Sequence, residues 1–386
     1  MTENAPTAAA NAEAIARKKA RVLHVIDSFD LGGAQVVVEN LVRHADLDRY
    51  APSVAALHGP GVFAERLSRL SVPVHSLAPR KWLPLYVPRL LAAFAARRFD
   101  IVHCHLLASN LIAKPLAAMT RTKVRINHDH CNDKMTLSAP MRRLDRWANR
   151  LSSHVIAVSE STRAGLIAAG LREDRVTTIH NGLDLAIYRP RPEGRSAARQ
   201  KYGIPADAFV IGGLGRLTHQ KNFLFFVKVA AQVCAQLPSA HFVIAGTGPD
   251  EAELRKQIAE LKLNDRVRLL GFVADPTELY PALDCLLLTS RFEGLPMTIL
   301  EAMACGVAIV ASDLDGMREI LQNGTHATLV PSDDVDAFAR AVLDLGARPD
   351  LVRERTEAAL RLVRERFSAE RMTREVETIY GRYLRH

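Results

Sequence analysis

Short apolar runs and longer amphipathic stretches take turns along this chain, and their alternation predicts its architecture. Runs at 21–27, 53–57, 74–77, 101–105, 123–127, 155–158 and 176–179 have the length of buried strands, with helical patterns between them. The alternation resumes with FVIGGLG from Phe209, HFVIAGTG from His241 and RVRLLGFV from Arg266. Strand-like runs follow at 285–289, 307–311 and 327–330. Strands that alternate with helices form parallel α/β sheets. RPRPEGRSAARQKYG, over 189–203, breaks the pattern and reads as a hinge. At 386 residues the chain is too long for one ordinary domain. The expected division is a tail over 1–19, a first domain over 20–188, a hinge over 189–205, a second domain over 206–367 and a final helix over 368–386.

The richest chemistry lies in CLLLTSRFEGLPMTILEAMACGVAIVAS, residues 285–312. It reads as strand, polar turn (Ser290–Pro296), helix (Met297–Cys305) stopped by Gly306, and strand. In parallel sheets ligands sit at loops leaving the carboxyl ends of strands. Pro296 precedes a helix whose first amides are unpaired, which favours an anionic or hydroxyl-rich ligand. Glu293 in the turn and Glu301 on the helix can face one cleft as hydroxyl acceptors for a ribose or a sugar. An ordinary βαβ segment with two surface glutamates is the bland alternative.

Other strand ends add candidates. SFDLGGAQ follows the first strand, and Gly32 and Gly33 let backbone amides approach a phosphate or sugar, although a tight turn alone would account for them. His105 ends IVHCH; His128, Asp129 and His130 lie just past the next strand. Metal is the lesser reading there, since no third partner for ligands at i and i+2 is identifiable, and a structural role for His105 competes with a functional one. Asn181 sits in the Asn-Gly turn of IHNGLD. GRLTHQKN brings Arg216 and Lys221 to a strand-to-helix loop, where two cations suit a diphosphate; a solvated loop is the alternative. Gly246, Gly248 and Gly271 lack the full dinucleotide fingerprint.

Charge changes the picture for partners. The net +9 is uneven: Lys and Arg outnumber Asp and Glu 29 to 17 over residues 1–200, but number 22 against 25 over 201–386. A basic first half points to an anionic surface. Aromatic residues are 6% and no nucleic-acid motif is present, which favours membrane over nucleic acid. Residues 79–99, PRKWLPLYVPRLLAAFAARRF, are amphipathic, with Trp82, Leu85, Tyr86, Leu90, Leu91 and Phe94 among Arg80, Lys81, Arg89, Arg97 and Arg98. They read as an interfacial helix or as an ordinary packed one, and the basic MRRLDRWANR (141–150) adds to the same face. No apolar run spans a bilayer and the start lacks a signal-peptide core. The scattered Cys104, Cys131, Cys234, Cys285 and Cys305 predict a reduced, cytoplasmic chain without structural zinc.

Taken together, Glu293 and Glu301 with Gly294-Leu295-Pro296 between them, AMACG after them, and Arg216 followed by Lys221 resemble the retaining family-4 glycosyltransferases of the group 1 type. The resemblance covers nearly all of residues 21–386, with Ala308 standing where relatives usually have proline. It implies a GT-B fold: two Rossmann-like parallel α/β domains facing across a cleft, with the final helix crossing back to the first. It also implies transfer of a hexose-type sugar, with retention, from a nucleotide sugar to a glycan or lipid-linked acceptor in surface polysaccharide synthesis. UDP stands ahead of GDP by family frequency. Arg216 and Lys221 would neutralise the diphosphate. Glu293 and the Gly294, Leu295, Pro296 and Met297 backbone would hold the sugar, and Glu301 the ribose. Gly246 and the Gly271, Phe272 and Val273 segment would border the nucleotide. Gly33, His105, Asn181 and either His128 or His130 would close the cleft from the first domain. No cofactor, metal or nucleic acid is implied; a berth at the inner membrane face is compatible. A nucleotide-sugar 2-epimerase and a non-catalytic binding subunit are the rival readings.

Overall fold

The computed structural model describes residues 19–30, 32–59, 61–77, 83–97, 99–130 and 138–384. Seven strands form the first sheet: β1 (Ala20–Ser28), β2 (Tyr50–His58), β3 (Val74–Ser76), β4 (Ile101–His105), β5 (Val124–Asp129), β6 (His154–Ala157) and β7 (Val176–Thr178). Their order is β3-β2-β1-β4-β5-β6-β7, and every pairing is parallel. Six more form the second sheet: β8 (Phe209–Leu214), β9 (Ala240–Ala245), β10 (Val267–Gly271), β11 (Cys285–Leu288), β12 (Ala308–Ser312) and β13 (Thr328–Val330). These run β10-β9-β8-β11-β12-β13, again all parallel.

Parallel strands need crossovers that cover both faces, so the strands are apolar nearly throughout. β4, β11 and β12 are buried along their whole lengths. The order in which strands are added reverses at β1 in one sheet, which lies between β2 and β4, and at β8 in the other, which lies between β9 and β11. Such switch points open a crevice at the carboxyl ends of the strands, and the two crevices face each other.

The final helix, Ala369–Leu384, returns to the first domain and packs on the helix Gly33–Arg43 and on β5. Tyr380 meets the Tyr50 ring edge-on at 5.7 Å, and its hydroxyl lies 2.5 Å from His103 Nδ1. The chain crosses between domains twice, side by side. Leu183 and Ser368 form a parallel bridge, with Leu183 N–H donating to Phe367 O and Ala369 N–H to Leu183 O, both at 2.9 Å.

Among the described residues no helix is long and apolar enough to cross a membrane. Of the amphipathic stretch 79–99, Arg80, Lys81, Trp82 and Arg98 lie outside the described residues. Leu90 and Phe94 are buried with Leu77 and Phe99 in the first-domain core, so protein already occupies that part of the apolar face. Burial pushes the Cys104 and Cys305 thiols up to about 12, as small buried hydrophobes require; Cys131 lies outside the described residues.

Candidate active site

The loop after β8 carries both predicted cations. It turns at Gly215, passes Arg216 and Lys221, and enters the helix Phe223–Gln236 through Asn222 in the left-handed region at φ 55°. Lys221 Nζ donates to Glu293 Oε1 at 2.5 Å, with both side chains largely buried. Backbone and side-chain bonds lace this loop to the one after β11: Arg291 N–H donates to Gln220 O at 2.8 Å, and Gln220 Nε2 to Phe292 O at 3.1 Å. Cation and carboxylate are thus held in one rigid unit. Beside them, a Cβ on Gly246 would collide with the Gly215 carbonyl oxygen, and its φ of +149° also favours glycine.

Pro296 stands at the N-cap of the helix Met297–Cys305, where no side-chain hydrogen bond caps it, and Gly306 ends it in the left-handed region. Glu301, one turn in, is buried. Burial raises its carboxyl above the ordinary range, while hydrogen bonds from the Tyr280 and Tyr188 hydroxyls pull it down. Tyr280 Oη donates to Glu301 Oε2 at 2.7 Å and fixes its rotamer.

Across the cleft, Gly33 begins the helix Gly33–Arg43, and a Cβ there would lie 3.5 Å from Met297 Cγ. The helix starts of the two domains therefore face each other closely. Asn181 Nδ2 donates to Leu295 O at 2.9 Å and ties the interdomain segment to the loop that carries Glu293. Behind this wall His24, His103, His105 and His128 are fully or almost fully buried. Burial and mutual repulsion hold His103, His105 and His128 well below the usual imidazole range, and burial puts His24 and His130 at about 3. Two triads, His24/His103/His105 and His105/His128/His130, hold ring nitrogens within 4.8 Å of one another. Neither triad contains a carboxylate to offset a divalent charge, and the shortest nitrogen pairs are spaced as hydrogen bonds.

All of this surrounds one cleft of about 1480 Å³ between the domains. Arg216, Lys221, Glu293 and Glu301 line it, with Leu295, Pro296 and Met297. Gly246, Phe272 and Val273 border it on one side, and Gly32, Gly33, Asn181 and His130 on the other. His105 and His128 stand behind His130 rather than at the wall; Gly271 and Gly294 lie just outside the lining, next to residues within it.

The sequence places this arrangement in a family. Residues 31–187 match the family described as Glycosyltransferase Family 4, and residues 194–361 the one described as Glycosyl transferases group 1. The mannosyltransferase LpsB of lipopolysaccharide core biosynthesis from Rhizobium meliloti is 31% identical over 64% of this chain and 72% of its own length. The chain is a family-4, group 1 glycosyltransferase. This glycosyltransferase is also 24% identical, over 64% of its length and 66% of the relative, to an Escherichia coli UDP-Gal:α-D-GlcNAc-diphosphoundecaprenol α-1,3-galactosyltransferase. Its fold matches Anabaena HepE, solved with UDP-glucose, at a TM-score of 0.84, with 23% identity over 94% of this chain and 99% of that one.

Three residues in or behind the glycosyltransferase's cleft were missed in its sequence. Asp27, at the end of β1, lines the cleft and accepts from the Ser109 amide at 2.7 Å and the Ala108 amide at 3.3 Å. Arg66 lines it as well, held by the buried Glu39 at 2.7 Å. Tyr280 lies on a short 3₁₀ turn with no motif around it. Only Asp27 carried a signal, as the acidic residue ending the first strand.

Proposed function

We propose that this glycosyltransferase moves a hexose-type sugar from a nucleoside diphosphate sugar, UDP ahead of GDP, to a glycan or lipid-linked acceptor in surface polysaccharide synthesis. The observation that carries the reading is the convergence of Arg216, Lys221, Glu293 and Glu301 on one interdomain cleft. The UDP-glucose bound by HepE and the diphosphoundecaprenol acceptor named for the E. coli relative support the donor and acceptor classes.

In this scheme Arg216 and Lys221 take up the charge that grows on the diphosphate as the anomeric carbon–oxygen bond breaks. They therefore stabilise the transition state more than the ground state. Glu301 accepts from the ribose hydroxyls in an orientation set by Tyr280. Glu293 and the free amides at the start of the helix Met297–Cys305 hold the sugar, and His130 meets the departing diphosphate from the first domain. The acceptor hydroxyl attacks on the leaving-group side, its proton passes to a diphosphate oxygen, and configuration is retained. Swinging the domains together excludes water from the donor.

A second reading concerns location. On the helix Ala139–Arg150, Leu144 and Trp147 are 45% and 49% exposed beside exposed Arg143, Arg146 and Arg150. That composition fits a peripheral contact with an anionic bilayer.

A panel of UDP- and GDP-sugars, assayed for nucleoside diphosphate release with and without lipid-linked glycans, tests the function. Acceptor-dependent release from one donor is expected. Interconversion of the sugar nucleotide with no acceptor would instead identify an epimerase.

A further inference from the structure

The buried histidines form more than a single wall contact. His24 on β1, His105 on β4 and His130 past β5 make one hydrogen-bonded line. His24 Nδ1 lies 3.1 Å from His105 Nε2, and His105 Nδ1 lies 3.0 Å from His130 Nε2. Both nitrogens of His105 are thus engaged. The His103 ring stacks on His105 at 4.2 Å and the His128 ring on His130 at 4.4 Å. Both flanking rings are fully buried, which keeps the line dry.

A neutral imidazole has one N–H and one bare nitrogen. In a series of two such bonds, every ring must donate in the same direction. Either all three protons sit on Nδ1 or all three sit on Nε2; any mixture sets N–H against N–H or lone pair against lone pair. His130 lines the cleft, and its Nδ1 is buried with no hydrogen-bond partner among the described residues. Phosphate oxygens only accept, and burial keeps the His130 ring neutral in the ligand-free protein, so the proton it offers them is a single ring N–H.

We propose that His105, with His24 behind it, is a positioning residue that locks His130 in its Nδ1–H tautomer, so that the cleft wall presents a fixed neutral donor to an oxygen of the nucleotide sugar. The role rests on reading the cleft as a nucleotide-sugar site. That the three rings share one tautomer follows from the histidine geometry; the choice of Nδ1–H follows from an accepting ligand at His130.

Long-range ¹H–¹⁵N correlation on the ligand-free, ¹⁵N-histidine-labelled protein at neutral pH reads each tautomer directly. Nδ1–H is expected on His24, His105 and His130 alike. Nε2–H on His130, mixed tautomers along the line, or an imidazolium in it would overturn the proposal. In His105→Leu, His130 is expected to lose its fixed tautomer, and kcat to fall on the order of tenfold or more with KM for the donor unchanged. His105→Gln, whose amide can both donate and accept, is expected to restore both. An unchanged His130 tautomer in a folded His105→Leu protein also refutes the lock. Failure of every nucleotide sugar to turn over, with the tautomers as expected, would sink the glycosyl-transfer assignment and leave the lock standing.

Discussion

Lys221 and Glu293 already neutralise each other at 2.5 Å, so an arriving diphosphate meets a partnered cation and must draw it away or share it. Lys221→Ala should therefore do two separable things. In the proposed scheme it removes a charge that stabilises the leaving group, lowering kcat on the order of 10²–10³-fold, and it leaves Glu293 buried and unpaired, lowering the melting temperature. Adding Glu293→Gln should recover the melting temperature but not turnover. Arg216→Ala should depress kcat with little thermal effect. In the proposed scheme Glu301 acts on binding: Glu301→Gln is expected to weaken nucleoside diphosphate affinity by about 1–3 kcal/mol in titration calorimetry, because an amide would not accept from both ribose hydroxyls while Tyr280 also donates to it.

At the scale of elements, strand positions were legible because buried parallel strands are short apolar runs that their helices set apart. All thirteen strands overlap the runs from which they were expected. The cation loop and the two glutamates were legible because each lies within a few residues of a strand end. The histidine line was not. His24, His103, His105, His128 and His130 stand at five scattered positions, and only the order β1-β4-β5, with His24 opposite His103 and His105 opposite His128, aligns them on one face. Tyr280 was equally hidden, since its contact with Glu301 depends on how a 3₁₀ turn packs. The final helix was legible as an element over 368–386, whereas its docking onto the first domain came from family resemblance. Tyr380 anchors it, and Tyr380→Ala is expected to cost about 3–5 kcal/mol in denaturant unfolding, as loss of a buried aromatic does.

The whole molecule carries an acid liability. The buried histidines have folded pKa values below the unfolded value of about 6.5, with His24 and His130 at about 3. Above pH 6.5 both states are neutral there and stability is full. As pH falls from about 6.5 toward 3 the unfolded chain takes up protons that the folded one refuses, which costs about 1.4 kcal/mol per pH unit for each such group. Thermal melts are expected to fall steeply between pH 6 and 4, and replacing His128 with Asn should flatten the slope. The twin crossings at Leu183 and Ser368 bear on motion as well. Two chains pinned side by side resist twisting about the line joining the domains far better than one would. The halves are therefore left with a rocking movement, like jaws on a broad leaf spring.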